Sequence, residues 1–269
     1  MAEPETPYRR TNDLAARAWA EVAELLDLQL SPLGLRAMQA LSPRAGDVIA
    51  DIGCGASQTV LQLAECVGSE GRVIGVDIAP LLLDVARLRA GGLGQVGFVE
   101  CDAAALDLPD GSLDGVFSRF GVMAFSDPVA AFRNFHRMTK PSGRLAFVCW
   151  RSLDENELDR LPLRAAGLEN MIDPTPFSFA DPGHIRATLE AAGFGRIAIR
   201  AHDEDVSSGD LDAMTTVLLK VGPLGRIVRE NPHLRIAAEP RVRAALAARS
   251  DHTRVALKAA TCSSTARWC

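Results

Sequence analysis

Apolar residues recur at helical spacing early in the chain, at Leu14, Ala18, Val22, Leu25 and Leu26, then at Leu33, Leu35, Met38 and Leu41. Ser31-Pro32 interrupts the run, so two helices are predicted before residue 45, preceded by a disordered leader over residues 1–10. A different period follows. Short apolar runs of strand length at 48–52, 72–77, 96–100, 115–120 and 144–150 alternate with helical patterns, one carried by Val60 to Val67, one at 80–90 and one that starts at Pro128 and stops at Pro141-Ser142-Gly143. Alternation of this kind predicts an α/β fold, a doubly wound, Rossmann-like and mostly parallel sheet with helices on both faces. Beyond Trp150 the pattern predicts helices at 156–170, from Pro182 to Gly193, at 211–230 (interrupted by Gly222-Pro223) and at 240–249. A strand is expected at 196–200 and a short one at about 255–262. The final residues, Ser263 to Cys269, read as too polar and irregular to complete a buried strand.

Composition narrows the classes. The chain has 269 residues, 48% of them hydrophobic, enough for one large α/β domain. A formal charge of −5 speaks against a general nucleic-acid binder and for a small-molecule ligand. No run of about 18 apolar residues exists, so no membrane-spanning helix is expected. Acids and prolines stand at the N-terminus where a signal peptide needs a basic end, so a cytoplasmic location is expected. Six cysteines are scattered without a Cys-x-x-Cys pair and read as reduced thiols rather than disulfides or metal ligands.

The chemistry concentrates at strand ends. The first strand closes on Asp51 and runs into Gly53, Cys54 and Gly55 before a helix. Glycines there permit a sharp turn and close approach of a ligand to the backbone. A dinucleotide loop would carry a third glycine at Gln58 and no anion at the strand end. Asp51 instead suits a ligand with a cationic head. The second strand closes on Asp77, roughly 20 residues beyond the glycines, where an acid can accept from both hydroxyls of a ribose. The third runs into Cys101-Asp102-Ala103.

These stretches together resemble the class I S-adenosylmethionine-dependent methyltransferases, in particular the quinone-methylating "type 11" group. The resemblance covers residues 45–150, through Asp51-Ile52-Gly53-Cys54-Gly55, Val76-Asp77-Ile78, Asp102-Ala103-Ala104, the turn from Leu108 to Asp114, and Ser118 to Met123. The family's usual third glycine falls at Ser57, which is a departure. The resemblance implies S-adenosyl-L-methionine as cofactor and S-adenosyl-L-homocysteine as product. It places Asp51, Gly53, Gly55, Asp77, Ile78, Asp102, Ala103 and Ser118 around the cofactor, with Asp102 facing the adenine amino group. It further implies a sheet that ends with an antiparallel strand beside the fifth.

Three segments are expected: a helical lid over 1–44, the cofactor-binding core over 45–150, and over 151–269 the rest of the sheet with helical insertions that cover the substrate. Methyl transfer to a small-molecule acceptor by in-line displacement is the function this implies. A base for a hydroxyl acceptor would be His136 or His184. Trp19, Met123, Phe125 and Trp150, with Tyr8, are candidates for an apolar substrate wall. No metal is expected: His202-Asp203-Glu204-Asp205 lies on extended chain, where consecutive residues face opposite ways, and reads as a solvated strand end. The basic face carrying Arg241, Arg243 and Arg249 reads as solvated surface. Two alternatives stand beside the methyltransferase, a non-catalytic S-adenosylmethionine-binding homologue and a nicotinamide-dependent oxidoreductase. Monomer and homodimer are equally compatible, and the acceptor atom is open.

Overall fold

The computed structural model describes residues 7–251 and 253–268, with side chains from residue 13 onward. The Tyr8 side chain, Cys269 and the leader as far as residue 6 therefore lie outside what is described. In chain order the elements are α1 (Pro7–Glu21), α2 (Ala23–Leu41), β1 (Val48–Ile52), α3 (Gln58–Val67), β2 (Arg72–Asp77), α4 (Pro80–Ala90), β3 (Val96–Glu100), β4 (Leu113–Arg119), α5 (Pro128–Met138) and β5 (Thr139–Trp150). There follow α6 (Glu157–Ala166), α7 (Pro182–Ala191), β6 (Phe194–Val206), α8 (Leu211–Lys220), α9 (Gly222–Glu230), α10 (Arg235–Ala247) and β7 (Leu257–Trp268), with short 3₁₀ turns between some of them.

Contacts divide the chain into two compact units. One comprises residues 32–155, 174–204 and 260 onward, and holds the body of a seven-stranded sheet in the order β3-β2-β1-β4-β5-β7-β6. Pairings from β3 across to β5 are parallel, and β7 enters antiparallel beside β5. This is the doubly wound, Rossmann-like sheet. Its two faces follow the period of two along each strand. Ile49, Val73, Phe117, Ala146 and Val148 pack with α3 and the end of α2, while Ala50, Ile52, Val116, Leu145 and Phe147 pack with α5 and α7. Asp51 alternates onto the α3 side. The other unit comprises residues up to 31, 156–173 and 205–259, and is mostly helical.

The structure corrects several sequence expectations. The break between the first two helices falls at Val22, and α2 runs through Pro32. A proline inside a helix costs roughly 3 kcal/mol; here Leu30, Leu33, Ala37, Met38 and Leu41 bury on both sides of it, which outweighs that cost. The boundary between the two units lies at this proline. The sixth strand spans Phe194–Val206 rather than 196–200, and takes in His202–Asp205. Helix α10 begins at Arg235 and contains Pro240.

The largest correction concerns the C-terminus. Its polar tail is the second half of β7, a strand paired from Trp150↔Thr261 to Arg144↔Arg267, with Ser263 and Ser264 buried. Pairing with β5 and a neighbour in β6 supplies the backbone partners a strand needs, so the antiparallel strand the family sheet requires is present although its composition does not announce it.

Candidate functional site

The candidate site lies at the carboxyl ends of β1, β2 and β4, the edge where open α/β sheets bind ligands. After Ile52 the backbone enters positive φ at Gly53 (+69°), Gly55 (+54°) and Ser57 (+78°). The Gly53 and Cys54 amides donate to the Val76 carbonyl at 2.8 and 3.0 Å, hanging the loop on β2. Glycine at 53 has a second reason: a Cβ there would stand 2.7 Å from the Gly121 Cα, and one at Gly121 would stand 2.3 Å from the Ile52 carbonyl oxygen. The turns that follow β1 and β4 thus cross in backbone contact. Ser118 locks the crossing, donating from Oγ to the Ile52 carbonyl at 2.7 Å and accepting from the Gly121 amide at 3.1 Å. Its buried hydroxyl is therefore engaged within the protein.

Asp77 holds the loop from the next strand. Its Oδ2 accepts from the Gly55 amide at 2.8 Å and its Oδ1 from the Ala79 amide at 2.9 Å. Burial raises its pKa and these amides oppose the rise. A carboxylate offers about four lone-pair sites, so two backbone bonds leave acceptor capacity for a pair of hydroxyls. Ile78, beside it, is 58% exposed, an apolar face at the rim. Asp102 is exposed and accepts from the Ala104 amide at 2.9 Å, capping a short turn that begins at Ala103.

Asp51 is the unusual group. It is fully buried, its Oδ2 accepts from the Thr59 hydroxyl, and its Oδ1 has no hydrogen-bond partner. Burial pushes its pKa up to about 7, against the Thr59 hydrogen bond and the nearby Arg119 charge, with Asp77 adding to the rise. Arg119 itself donates to the Gln58 side chain. One oxygen of this buried carboxyl thus has no donor from the protein, an exception among buried polar groups.

The apolar candidates divide. Trp150 is half-buried and stacks on Phe120, ring centroids 3.9 Å apart and planes 15° from parallel. Phe120 takes φ +62°, a rare conformation for an aromatic residue and one that clusters at functional sites. Met123 is buried, and its carbonyl accepts from the Ser178 hydroxyl; Phe125 is half-buried with its ring against Phe132 and Phe135. Trp19 stands on α1, in the other unit, 38% exposed.

The histidines are elsewhere. His136 ends α5 and stacks on Trp268, with Phe194 edge-on, at the amino-terminal edge of the sheet where β6 begins and β7 ends. Burial lowers its pKa. His184 is exposed in the first turn of α7, edge-on to Phe179. The structure therefore brings Asp51, Gly53, Gly55 and Asp77 together, and neither histidine to them. Sequence reasoning passed over the Gly53–Gly121 crossing and the Phe120 conformation; the Phe120-Gly121 pair directly after a strand was the available signal.

Among the described residues, no three His, Cys, Asp or Glu side chains are grouped to hold a metal ion. Asp203 and Glu204 instead pair with Arg151 and Arg36. The cysteines at 54, 66, 101, 149 and 262 are unpaired. No described helix is long and apolar enough to cross a membrane.

Residues 50–147 match the family model described as "Methyltransferase domain". A demethylmenaquinone methyltransferase of Geobacillus kaustophilus is 35% identical over 108 residues, which are 39% of this chain and 46% of that protein. The chain thus spans about half the length of that relative. Nocamycin O-methyltransferase of Saccharothrix syringae is 30% identical over 194 residues, 65% of this chain and 68% of that protein. The chain belongs to the class I S-adenosylmethionine-dependent methyltransferases. In fold the chain is similar to the YcgJ protein of Bacillus subtilis, which superposes with a TM-score of 0.59 at 21% identity, covering 88% of this chain and 97% of its own.

Proposed function

We propose that this chain binds S-adenosyl-L-methionine at the carboxyl edge of the sheet and transfers its methyl group to a small apolar acceptor, leaving S-adenosyl-L-homocysteine. The observation that carries the reading is Asp51, a buried carboxyl with an orphaned oxygen beside a glycine loop. The residues present fit this cofactor better than a dinucleotide, whose pyrophosphate would meet the Asp51 charge.

When bound, the cofactor supplies an electrophilic methyl group on sulfur. Asp51 accepts the ammonium, and Asp77 accepts the ribose hydroxyls with the lone pairs its two amide bonds leave free. Ile78 covers one adenine face, while Asp102 and Ala103 meet the adenine edge. Gly53 and Gly55 let the backbone approach, and Ser118 positions the loop through Ile52 and Gly121 rather than by contact. The stacked Phe120 and Trp150, with Phe125, form an apolar wall that holds the acceptor and excludes water. With His136 at the opposite edge of the sheet and His184 exposed on α7, alignment of acceptor and methyl is what the protein contributes, a term that can supply several kcal/mol. A small molecule rather than nucleic acid is the acceptor, supported by the net charge of −5 and by the named relatives. A cytoplasmic setting is part of the reading, supported by the unpaired thiols.

Incubation of the protein with methyl-labelled S-adenosylmethionine and a panel of apolar hydroxylated and quinol compounds tests the transfer. Label in an organic-extractable product is the expected result. Binding without labelled product from any member would favour the non-catalytic homologue, the reading to which the strained Ser57 points.

A further inference from the structure

The second compact unit carries a site that the methyltransferase reading does not use. Helices α6 and α10 pack on one another within it. Their antiparallel course follows from two contacts: Arg249, just past the end of α10, pairs with Glu157 at the start of α6 at 2.6 Å, and Arg241 lies beside Gly167 at the far end of α6. Between them runs a groove of about 310 Å³, lined by Glu157, Arg160, Leu161, Arg164, Ala245 and Arg249 among others. The spacing explains it. Positions 157, 160, 161, 164 and 165 form one stripe of α6, and 241, 245 and 249 form one of α10. Leucine and alanine make an apolar floor, and arginines make the walls.

Several arginines of this unit that point away from the groove are paired: Arg226 with Asp173 and Glu230, Arg235 with Glu239, Arg243 with Asp212. Arg160, Arg164 and Arg241 form no ion pair among the described residues, and the groove offers only Glu157, already engaged by Arg249. A chain with net charge −5 has thus left a concentration of unpaired guanidinium groups in one concave place. Arg160 and Arg164 sit one turn apart, with about 5–6 Å between their Cβ atoms. Planar guanidinium groups bind phosphate oxygens in pairs of parallel hydrogen bonds, and two at this separation match two anionic groups on one ligand. The groove has the size of a small-molecule site.

We propose that the α6–α10 groove binds a small molecule carrying two or more linked phosphoryl groups, held by Arg160 and Arg164, with Leu161 and Ala245 under its apolar part. The inference is independent of the cofactor assignment.

Calorimetric titration of the full chain with triphosphate, pyrophosphate and orthophosphate at fixed ionic strength tests it. Triphosphate is expected to bind at one site per chain, with orthophosphate at least tenfold weaker. R160Q/R164Q should lose tenfold or more, each single variant several-fold, and R243Q, outside the groove, less than twofold. These arginines are exposed, and circular dichroism checks that the variants fold. Absence of heat from all three anions, orthophosphate binding as tightly as triphosphate, or equal affinity in R160Q/R164Q would each overturn the proposal.

Discussion

Asp77 and Asp102 both end strands, and the structure gives them different weights. Asp77 is half-buried, with each oxygen already tied to the backbone around the loop; Asp102 is exposed with one backbone bond. Asp77→Ala is therefore expected to weaken S-adenosylmethionine binding at least about tenfold, the worth of a hydrogen bond to a charged group, and Asp102→Ala by less. Dissociation constants of the two folded variants check this; the reverse order would mean the adenine and ribose positions are exchanged. Ser57 offers a stability test. It holds φ +78° without the freedom of glycine, and its buried hydroxyl has no partner. Left-handed backbone costs a non-glycine residue about 1–2 kcal/mol, so Ser57→Gly is expected to raise the unfolding free energy by about 1 kcal/mol in urea titration. A loss of stability would show that Ser57 has a partner in the folded chain.

Among the elements, β1, β2, α4 and β3 could be bounded from sequence almost to the residue, because each has an apolar run of one clear period closed by glycine, proline or an acid. Asp127 before Pro128 shows the mechanism at the start of α5, its side chain accepting from the Ala130 amide at 2.9 Å. At the other end of α5 the pattern runs on to Pro141-Ser142-Gly143, whereas the helix gives way to β5 at Thr139. The last strand could not be so bounded. Its Ser263, Ser264 and Thr265 have no hydrophobic alternation, and the two serines are buried because β5 and β6 flank them, a tertiary circumstance that no local window contains. Burial of hydroxyls has a cost: the Ser263 and Ser264 Oγ atoms lack partners. Ser264→Ala removes one such group with almost no change in volume, and is expected to raise thermal stability modestly, by up to about 1 kcal/mol. A lower melting temperature would contradict this account of β7. The same limit explains the candidate site. Strand-end acids and glycines are visible as residue types at spacings, whereas the Gly53–Gly121 crossing and the Phe120–Trp150 stack join residues far apart in the chain.

At the scale of the whole molecule, two buried acids link folding to pH in one direction and ligand binding in the other. Burial pushes Asp51 and Asp159, the latter in α6, up to about 7 from an ordinary 3.8. Between those values the folded chain holds protons that the unfolded chain has released. The stability is therefore fully present below about 4 and is lost as pH rises through 7. Denaturation without ligand is expected to show a less stable protein at pH 8 than at pH 5. Cofactor affinity should move oppositely, since an ammonium needs the ionised Asp51, and should weaken as pH falls below about 7. Asp51→Asn should abolish that pH dependence of binding while Asp159→Asn leaves it intact.

The central claim is that a cationic cofactor completes the site around Asp51. Calorimetric titration of the full chain at pH 8 with S-adenosylmethionine, S-adenosylhomocysteine and NAD tests it most directly. Micromolar binding of the first two and none of NAD is the predicted result. Binding of NAD, or heat from none of the three, would contradict it.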